Sequence, residues 1–154
     1  MVLDIRKLYL GGLTTDLDAR IDIGMPDDLE FEIGFCQRVL ESLPTHYDAL
    51  VLLGGAYTRA GEFQKGLELD LKLAQLKPDN ETIHYNLACS YALTGQTDNA
   101  LCNLSKALDL GYNDVAHLCG DNDLAPLKSD PRFQKLVQKL VDQSGVKDKG
   151  SKPE

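Results

Sequence analysis

Residues 50–61 read LVLLGGAYTRAG, and residues 84–95, which lie 34 positions later, read HYNLACSYALTG. The same shift continues down the chain and pairs identical residues: Leu53 with Leu87, Tyr57 with Tyr91, Gly61 with Gly95, Leu67 with Leu101, Lys72 with Lys106, and Leu76 with Leu110. A fixed period of about 20 to 50 residues is typical of proteins built from stacked copies of one structural unit. These two stretches therefore predict a repeat architecture.

The unit that repeats is predicted to be helical. Apolar residues between positions 27 and 141 recur at spacings of three and four, and no stretch alternates with period two. Turn residues interrupt the pattern at Pro44-Thr45, Gly61, Pro78-Asp79-Asn80, Gly95, and Gly111 to Asp114. Thr45 and Asp48 are spaced as a helix capping box. The chain is expected to be all-α, a row of helical hairpins.

Within each hairpin two helices have to approach closely, and small residues recur where this is needed: Gly54 with Ala88, and Gly66 with Ala100. The complete pattern resembles the tetratricopeptide repeat, which has a large residue, Leu-Gly and Tyr on its first helix, and Ala, an aromatic residue, Ala and Pro on its second. The residues that carry the resemblance are Leu50, Leu53, Gly54, Tyr57, Gly66, Asp70, Leu73 and Pro78 in one copy, and His84, Leu87, Ala88, Tyr91, Ala100, Leu104, Ala107 and Tyr112 in the next. The resemblance implies a short α-solenoid.

Asp70 departs from the family pattern, because it stands where an aromatic residue is expected. We expect either loose packing of that helix or a carboxylate that faces solvent.

The domain organisation follows from this register. Residues 1–26 are predicted to form a short helix near residues 3–10 and a loop, and residues 27–142 a repeat domain. That domain is divided into a partial repeat over 27–46, repeats over 47–80 and 81–114, and a cap over 115–142. Residues 143–154, polar and containing Gly and Pro, are predicted to be a disordered tail.

The cap is predicted because the repeat register fails beyond residue 114, where Asp121, Ala125 and Ser129 replace the expected Leu, Tyr and Gly. The stretch GYNDVAHLCGDNDLAPLKSDPRF, residues 111–133, resembles a closing segment found in small bacterial tetratricopeptide proteins. Asp130 and Pro131 suit the start of a final helix that covers the exposed end of the array.

Charge and cysteine usage exclude several classes of function. A formal net charge of -8 opposes binding to nucleic acid, whose affinity depends on clustered Lys and Arg. No apolar run approaches the roughly 20 residues of a membrane-spanning helix, and residues 1–13 lack the apolar core of a signal peptide. Four widely spaced cysteines fit reduced thiols. We therefore expect a cytoplasmic protein with no nucleic-acid and no membrane partner.

The residues that could carry chemistry are few. His84 and Cys89 are five residues apart, which turns them about 140° from each other on a helix, so they do not suit one metal ion. No glycine-rich phosphate loop is present. We expect no catalytic residue, no metal, no cofactor and no enzymatic activity. The alternative is a metal-binding or thiol redox protein that uses His117 and Cys119, the only close His/Cys pair.

In the tetratricopeptide family the first helix of each repeat lines a concave groove. The resemblance implies a set of partner-binding residues: Val51, Gly55, Thr58 and Arg59 from one copy, and Tyr85, Asn86, Cys89 and Leu93 from the next. We call these eight residues the inner face. The main hypothesis is a protein-protein interaction module, an adapter or scaffold that binds a peptide or helix there. A further alternative is a homo-oligomer, formed when the incomplete N-terminal repeat stacks on a second copy.

Overall fold

The computed structural model describes residues 28–144, and within them the prediction of an all-α fold is confirmed. The helices are α1 (Asp28–Ser42), α2 (Tyr47–Arg59), α3 (Phe63–Leu76), α4 (Glu81–Leu93), α5 (Thr97–Asp109), α6 (Val115–Gly120) and α7 (Pro131–Ser144), with one 3-10 turn at Ala125–Leu127 before α7. The predictions for residues 1–26 and 145–154 lie outside the described residues. Helix α7 continues to Ser144, beyond the predicted end of the cap at residue 142.

Consecutive helices pack against each other from α1 to α5, and α7 packs against both α5 and α6. This is a short tetratricopeptide-type array of helical hairpins with a C-terminal capping helix, as predicted. Its core consists of two apolar clusters. One joins α1 to the start of α4 around Leu50 and Leu73, and the other joins α4 and α5 to the cap around Leu104 and Leu118.

The two repeats also share the hydrogen bonds that end their first helices, α2 and α4. Gly61 and Gly95 have φ values of 75° and 76°, a conformation that glycine adopts without steric cost. In both copies the residue after the glycine donates its backbone N–H to the carbonyl of the repeated tyrosine, Tyr57 or Tyr91, at 2.8 Å. The helix stops predicted at these glycines are therefore confirmed.

The capping box predicted at the start of α2 is wrong. The residue before the helix is His46 rather than Thr45, and the Nδ1 atom of His46 accepts a hydrogen bond from the Ala49 backbone N–H at 3.3 Å. An imidazole thus takes the role expected of a hydroxyl group.

The small residues of the first hairpin lie where α2 and α3 come closest. A Cβ atom added to Gly66 would lie 3.3 Å from Thr58 Oγ1 and 3.5 Å from the Gly54 carbonyl oxygen. A Cβ atom added to Gly55, on the other side of α2, would meet only the Arg59 guanidinium at 3.5 Å. Gly66 is therefore needed for packing, whereas Gly55 is not.

We expect Gly66→Val to lower the free energy of unfolding by about 1–3 kcal/mol, because the added atoms force α2 and α3 apart. The matched change Gly55→Ala should raise this free energy by up to about 1 kcal/mol, because alanine favours the helix more than glycine does. Urea denaturation followed by circular dichroism measures both. A Gly66→Val variant as stable as the parent would contradict the close contact.

Of the two alternatives given for Asp70, the carboxylate that faces solvent is wrong. Its carboxylate is buried between α3 and α4, where Oδ2 accepts a hydrogen bond from Ser90 Oγ at 2.5 Å. Burial raises the pKa of Asp70 to about 6, and the hydrogen bond from Ser90 only partly opposes this shift. A buried carboxyl group therefore joins the two repeats at a position where the family pattern has an aromatic ring.

Candidate partner-binding face

The α2 half of the inner face is partly open to solvent. Val51 is 36% exposed and Arg59 is exposed, whereas Gly55, one helical turn after Val51, and Thr58, which packs towards Gly66 of α3, are half-buried. The Arg59 guanidinium is exposed and pairs with Glu32 of α1, with Nη2 and Oε2 2.6 Å apart. Thr58 donates its hydroxyl to the Gly54 carbonyl at 3.1 Å. This half therefore offers an apolar and backbone surface whose one cation is already paired.

The α4 half is largely covered by the chain itself. Tyr85 is only 2% exposed, and its hydroxyl donates to Asp121 Oδ2 at 2.7 Å. The Cys89 thiol is buried too and lies 3.6 Å from the same oxygen. Tyr85 and Cys89 thus make internal contacts with the cap, and the expectation that both face an open groove is corrected.

Two rings complete this cluster around Tyr85. The Tyr112 ring stacks on the Tyr85 ring with centroids 4.3 Å apart, and the His117 ring lies 5.3 Å away at a tilt. Asn86 and Leu93, the other two α4 residues of the inner face, are half-buried. The open inner face is therefore narrower than predicted and consists mainly of α2 with the edge of α4.

The electrostatics of the cluster do not favour nucleophilic chemistry. Burial, followed by the nearby charge of Asp121, raises the pKa of the Cys89 thiol. Burial and the hydrogen bond to Asp121 likewise raise the pKa of Tyr85. A reactive cysteine needs a lowered pKa, because the thiolate is the nucleophile. Both groups therefore stay protonated at neutral pH and act as hydrogen-bond donors.

Asp121 is the important residue that sequence reasoning missed. It accepts hydrogen bonds from Tyr85 and from the Asp123 backbone N–H, the latter at 2.9 Å. In the sequence it is visible only as a residue that breaks the repeat register, since it replaces the leucine at positions 53 and 87. The break in register was the available signal, although it did not indicate the partner.

His117 and Cys119, the pair behind the metal or thiol alternative, both have exposed side chains on α6. His117 Nε2 lies 3.8 Å from Asp121 Oδ2. Across residues 28–144, no group of three or more His, Cys, Asp or Glu side chains is placed to hold a metal ion. All four cysteines are unpaired.

No helix in the described part of the chain is both long and apolar enough to cross a membrane.

The fold defines a class, a tetratricopeptide-like helical repeat. Among solved structures, the chain is similar to "MamA MSR-1 C2", a tetratricopeptide helical-repeat protein, with a TM-score of 0.58 and 20% sequence identity over 76% of this chain and 70% of that one. At this identity the similarity concerns the fold alone. No protein-family model matches the chain. No curated protein matches it either.

Proposed function

We propose that the chain is a non-enzymatic interaction module, which binds an extended or helical segment of another protein on the open part of the inner face. The observation that supports this most directly is on α2. This helix buries its other aliphatic residues, yet it leaves Val51 and Leu52 more than a third exposed near Gly55. Exposed aliphatic side chains beside a glycine, which allows close approach to the backbone, suit a peptide or a helix.

The covered α4 half limits the part of the inner face that a bound segment can contact. Tyr85 and Cys89 are buried and contact Asp121. A bound segment therefore contacts α2 and the neighbouring edge of α4 at Asn86. Arg59, paired with Glu32, contributes little net charge. Recognition therefore depends on shape and apolar contact more than on charge.

The test uses two exposed aliphatic residues of almost equal exposure on different helices, Val51 of α2 at 36% and Leu71 of α3 at 37%. We expect Val51→Glu to weaken binding of each captured partner by about tenfold or more, since a carboxylate placed in an apolar contact costs over 1.4 kcal/mol. Leu71→Glu should leave binding unchanged. Affinity capture with each variant as bait, followed by titration of the recovered partner, measures both.

A second variant separates loss of binding from loss of folding. Gly55→Lys adds a long side chain to the inner face, and because its Cβ atom would meet only the Arg59 guanidinium, the helix should tolerate it. We expect undiminished thermal stability together with loss of partner capture. If all partners of the parent protein bind the Val51→Glu and Gly55→Lys variants equally well, the inner face is not the binding surface.

The remaining parts of the proposal follow from the sequence. We propose a cytoplasmic protein that acts without a cofactor and without nucleic acid. The alternative of a metal or thiol redox function predicts a stoichiometric metal, or a fast thiol at Cys119, in the purified protein. Elemental analysis and thiol titration of the parent and of a Cys119→Ser variant measure this directly.

A further inference from the structure

His84 is a buried histidine whose two ring nitrogens both face oxygen atoms. The residue is only 4% exposed. Its Nε2 atom lies 2.7 Å from the Pro78 carbonyl oxygen, and its Nδ1 atom lies 3.0 Å from Asn103 Oδ1. Pro78 precedes α4, where His84 lies, and Asn103 lies on α5. The imidazole therefore connects the turn between the two repeats with both helices of the second repeat.

Neither of these oxygens is able to donate a hydrogen. The Pro78 carbonyl is an acceptor only. The side-chain amide of Asn103 is oriented by its other contact, in which Nδ2 donates to the Asn99 carbonyl oxygen at 3.0 Å. Turning the amide over would place Oδ1 against that carbonyl and exchange a hydrogen bond for a contact between two acceptors. Both oxygens around His84 therefore require an N–H group from the ring.

A neutral imidazole does not meet this requirement, because it has one N–H group and one lone pair. In either tautomer the lone pair would face an oxygen atom in a buried place, at 2.7 Å or at 3.0 Å. The doubly protonated ring instead donates to both oxygens. Burial opposes the charged form, whereas hydrogen bonds at both nitrogens favour it. A separation of 2.7 Å is also that of a charge-assisted hydrogen bond.

The charged groups around His84 do not oppose a proton on the ring. Among residues 28–144, no carboxylate forms an ion pair with it. The charged residues next to its contacts and between α3 and α4 are Lys77, Asp79, Glu81, Lys106 and the buried Asp70. Three of these five are acidic, and the whole chain has a formal net charge of -8. The surrounding potential therefore favours a cation.

We infer that His84 is held as the doubly protonated imidazolium in the folded protein at neutral pH, and that its two N–H groups join the first repeat to the second. The folded state then binds a proton that the unfolded chain releases near neutral pH, so this stabilisation is present at low pH and is lost as the pH rises. His84 is not one of the eight residues of the inner face, so the inference does not depend on the proposed function.

The experiment reads the protonation of each ring nitrogen in the whole chain, labelled with nitrogen-15 in histidine. The chain has three histidines, and the exposed His46 and His117 are internal references. At about pH 7.5, long-range proton–nitrogen correlation spectra should show both nitrogens of His84 protonated, whereas His46 and His117 should be neutral. In a titration, His84 should hold its second proton about tenfold or more tightly than His46 does, because two hydrogen bonds favour the charged form.

Two variants on α5 test the role of Asn103. Asn103→Asp keeps an acceptor oxygen and adds a charge, so we expect it to tighten the binding of the second proton by about tenfold or more. Asn99→Asp adds the same charge one helical turn earlier at an exposed position, and it should change this affinity by less than about threefold. Circular dichroism checks that both variants keep their helices.

Two results would overturn the inference. One unprotonated nitrogen on His84 at about pH 7.5 in the parent protein would assign the neutral ring, with the Asn103 amide turned over. Equal effects of Asn103→Asp and Asn99→Asp would show that His84 responds only to the general charge of the chain. If a variant does not fold, the spectrum of the parent protein decides the question by itself.

Discussion

Replacing Asp121 by alanine is expected to lower the free energy of unfolding by about 3 kcal/mol, although the residue lies outside both repeats. Its carboxylate accepts hydrogen bonds from the Tyr85 hydroxyl and the Asp123 backbone N–H. Tyr85 lies under the rings of Tyr112 and His117, so its hydroxyl would be left buried without an acceptor. Each buried donor that loses its partner costs about 1–3 kcal/mol.

Urea denaturation measures this change, with Asp114→Ala as the matched control in the same segment. Asp114 caps α6 by accepting from the His117 backbone N–H at 2.8 Å, but it is exposed, and its loss should cost about 1 kcal/mol. Tyr85→Phe should cost less in the Asp121→Ala background than in the parent, because the two groups interact directly. If the Asp121→Ala and Asp114→Ala variants are equally stable, Asp121 does not stabilise the packing of the cap against α4.

Replacing Asp70 by asparagine should stabilise the protein at neutral and higher pH. Burial raises the pKa of Asp70 from 3.8 to about 6. Above about pH 6 the ionised carboxylate therefore lowers the free energy of unfolding by up to about 3 kcal/mol. Asparagine removes the charge and keeps an oxygen that accepts from Ser90. The parent should therefore gain stability as the pH falls from about 8 to about 5, since the folded state binds the proton more tightly than the unfolded state.

The measurement is the free energy of unfolding of both proteins at about pH 8 and about pH 5. The difference between them should be largest at the higher pH and shrink as the pH approaches the unfolded pKa of Asp70. Asp48→Asn, a change of the same chemistry at an exposed position of α2, should alter stability little at either pH. An Asp70→Asn variant less stable than the parent at about pH 8 would show that the carboxylate is favourable in its charged form.

Features that depend on nearby residues were predictable from the sequence. Gly61 and Gly95 end their helices in the same conformation because a positive φ is a local property of glycine. His84 stands at the position of the large residue in the family pattern, and it is buried, with Nε2 2.7 Å from the Pro78 carbonyl oxygen. Spacing along the helix was enough to place these residues.

Features that depend on contacts between distant residues were not predictable. Asp70 is buried because Ser90, on the neighbouring helix, supplies a hydrogen bond, and no pattern around position 70 reveals this donor. Tyr85 and Cys89 occupy family groove positions, but the cap covers them, and the repeat period ends before the cap begins. Periodicity describes where a side chain points, and only the packed structure shows what lies against it.

Under the proposed function, the cap also limits the length of a bound segment. The open part of the inner face, α2 with the neighbouring edge of α4 at Asn86, has room for only a short segment. Asp121 closes that surface at one end, where longer arrays would continue. Such a short contact surface favours weak, rapidly exchanging binding. A partner that binds strongly would therefore carry several recognition segments, because their combined avidity exceeds the affinity of each one.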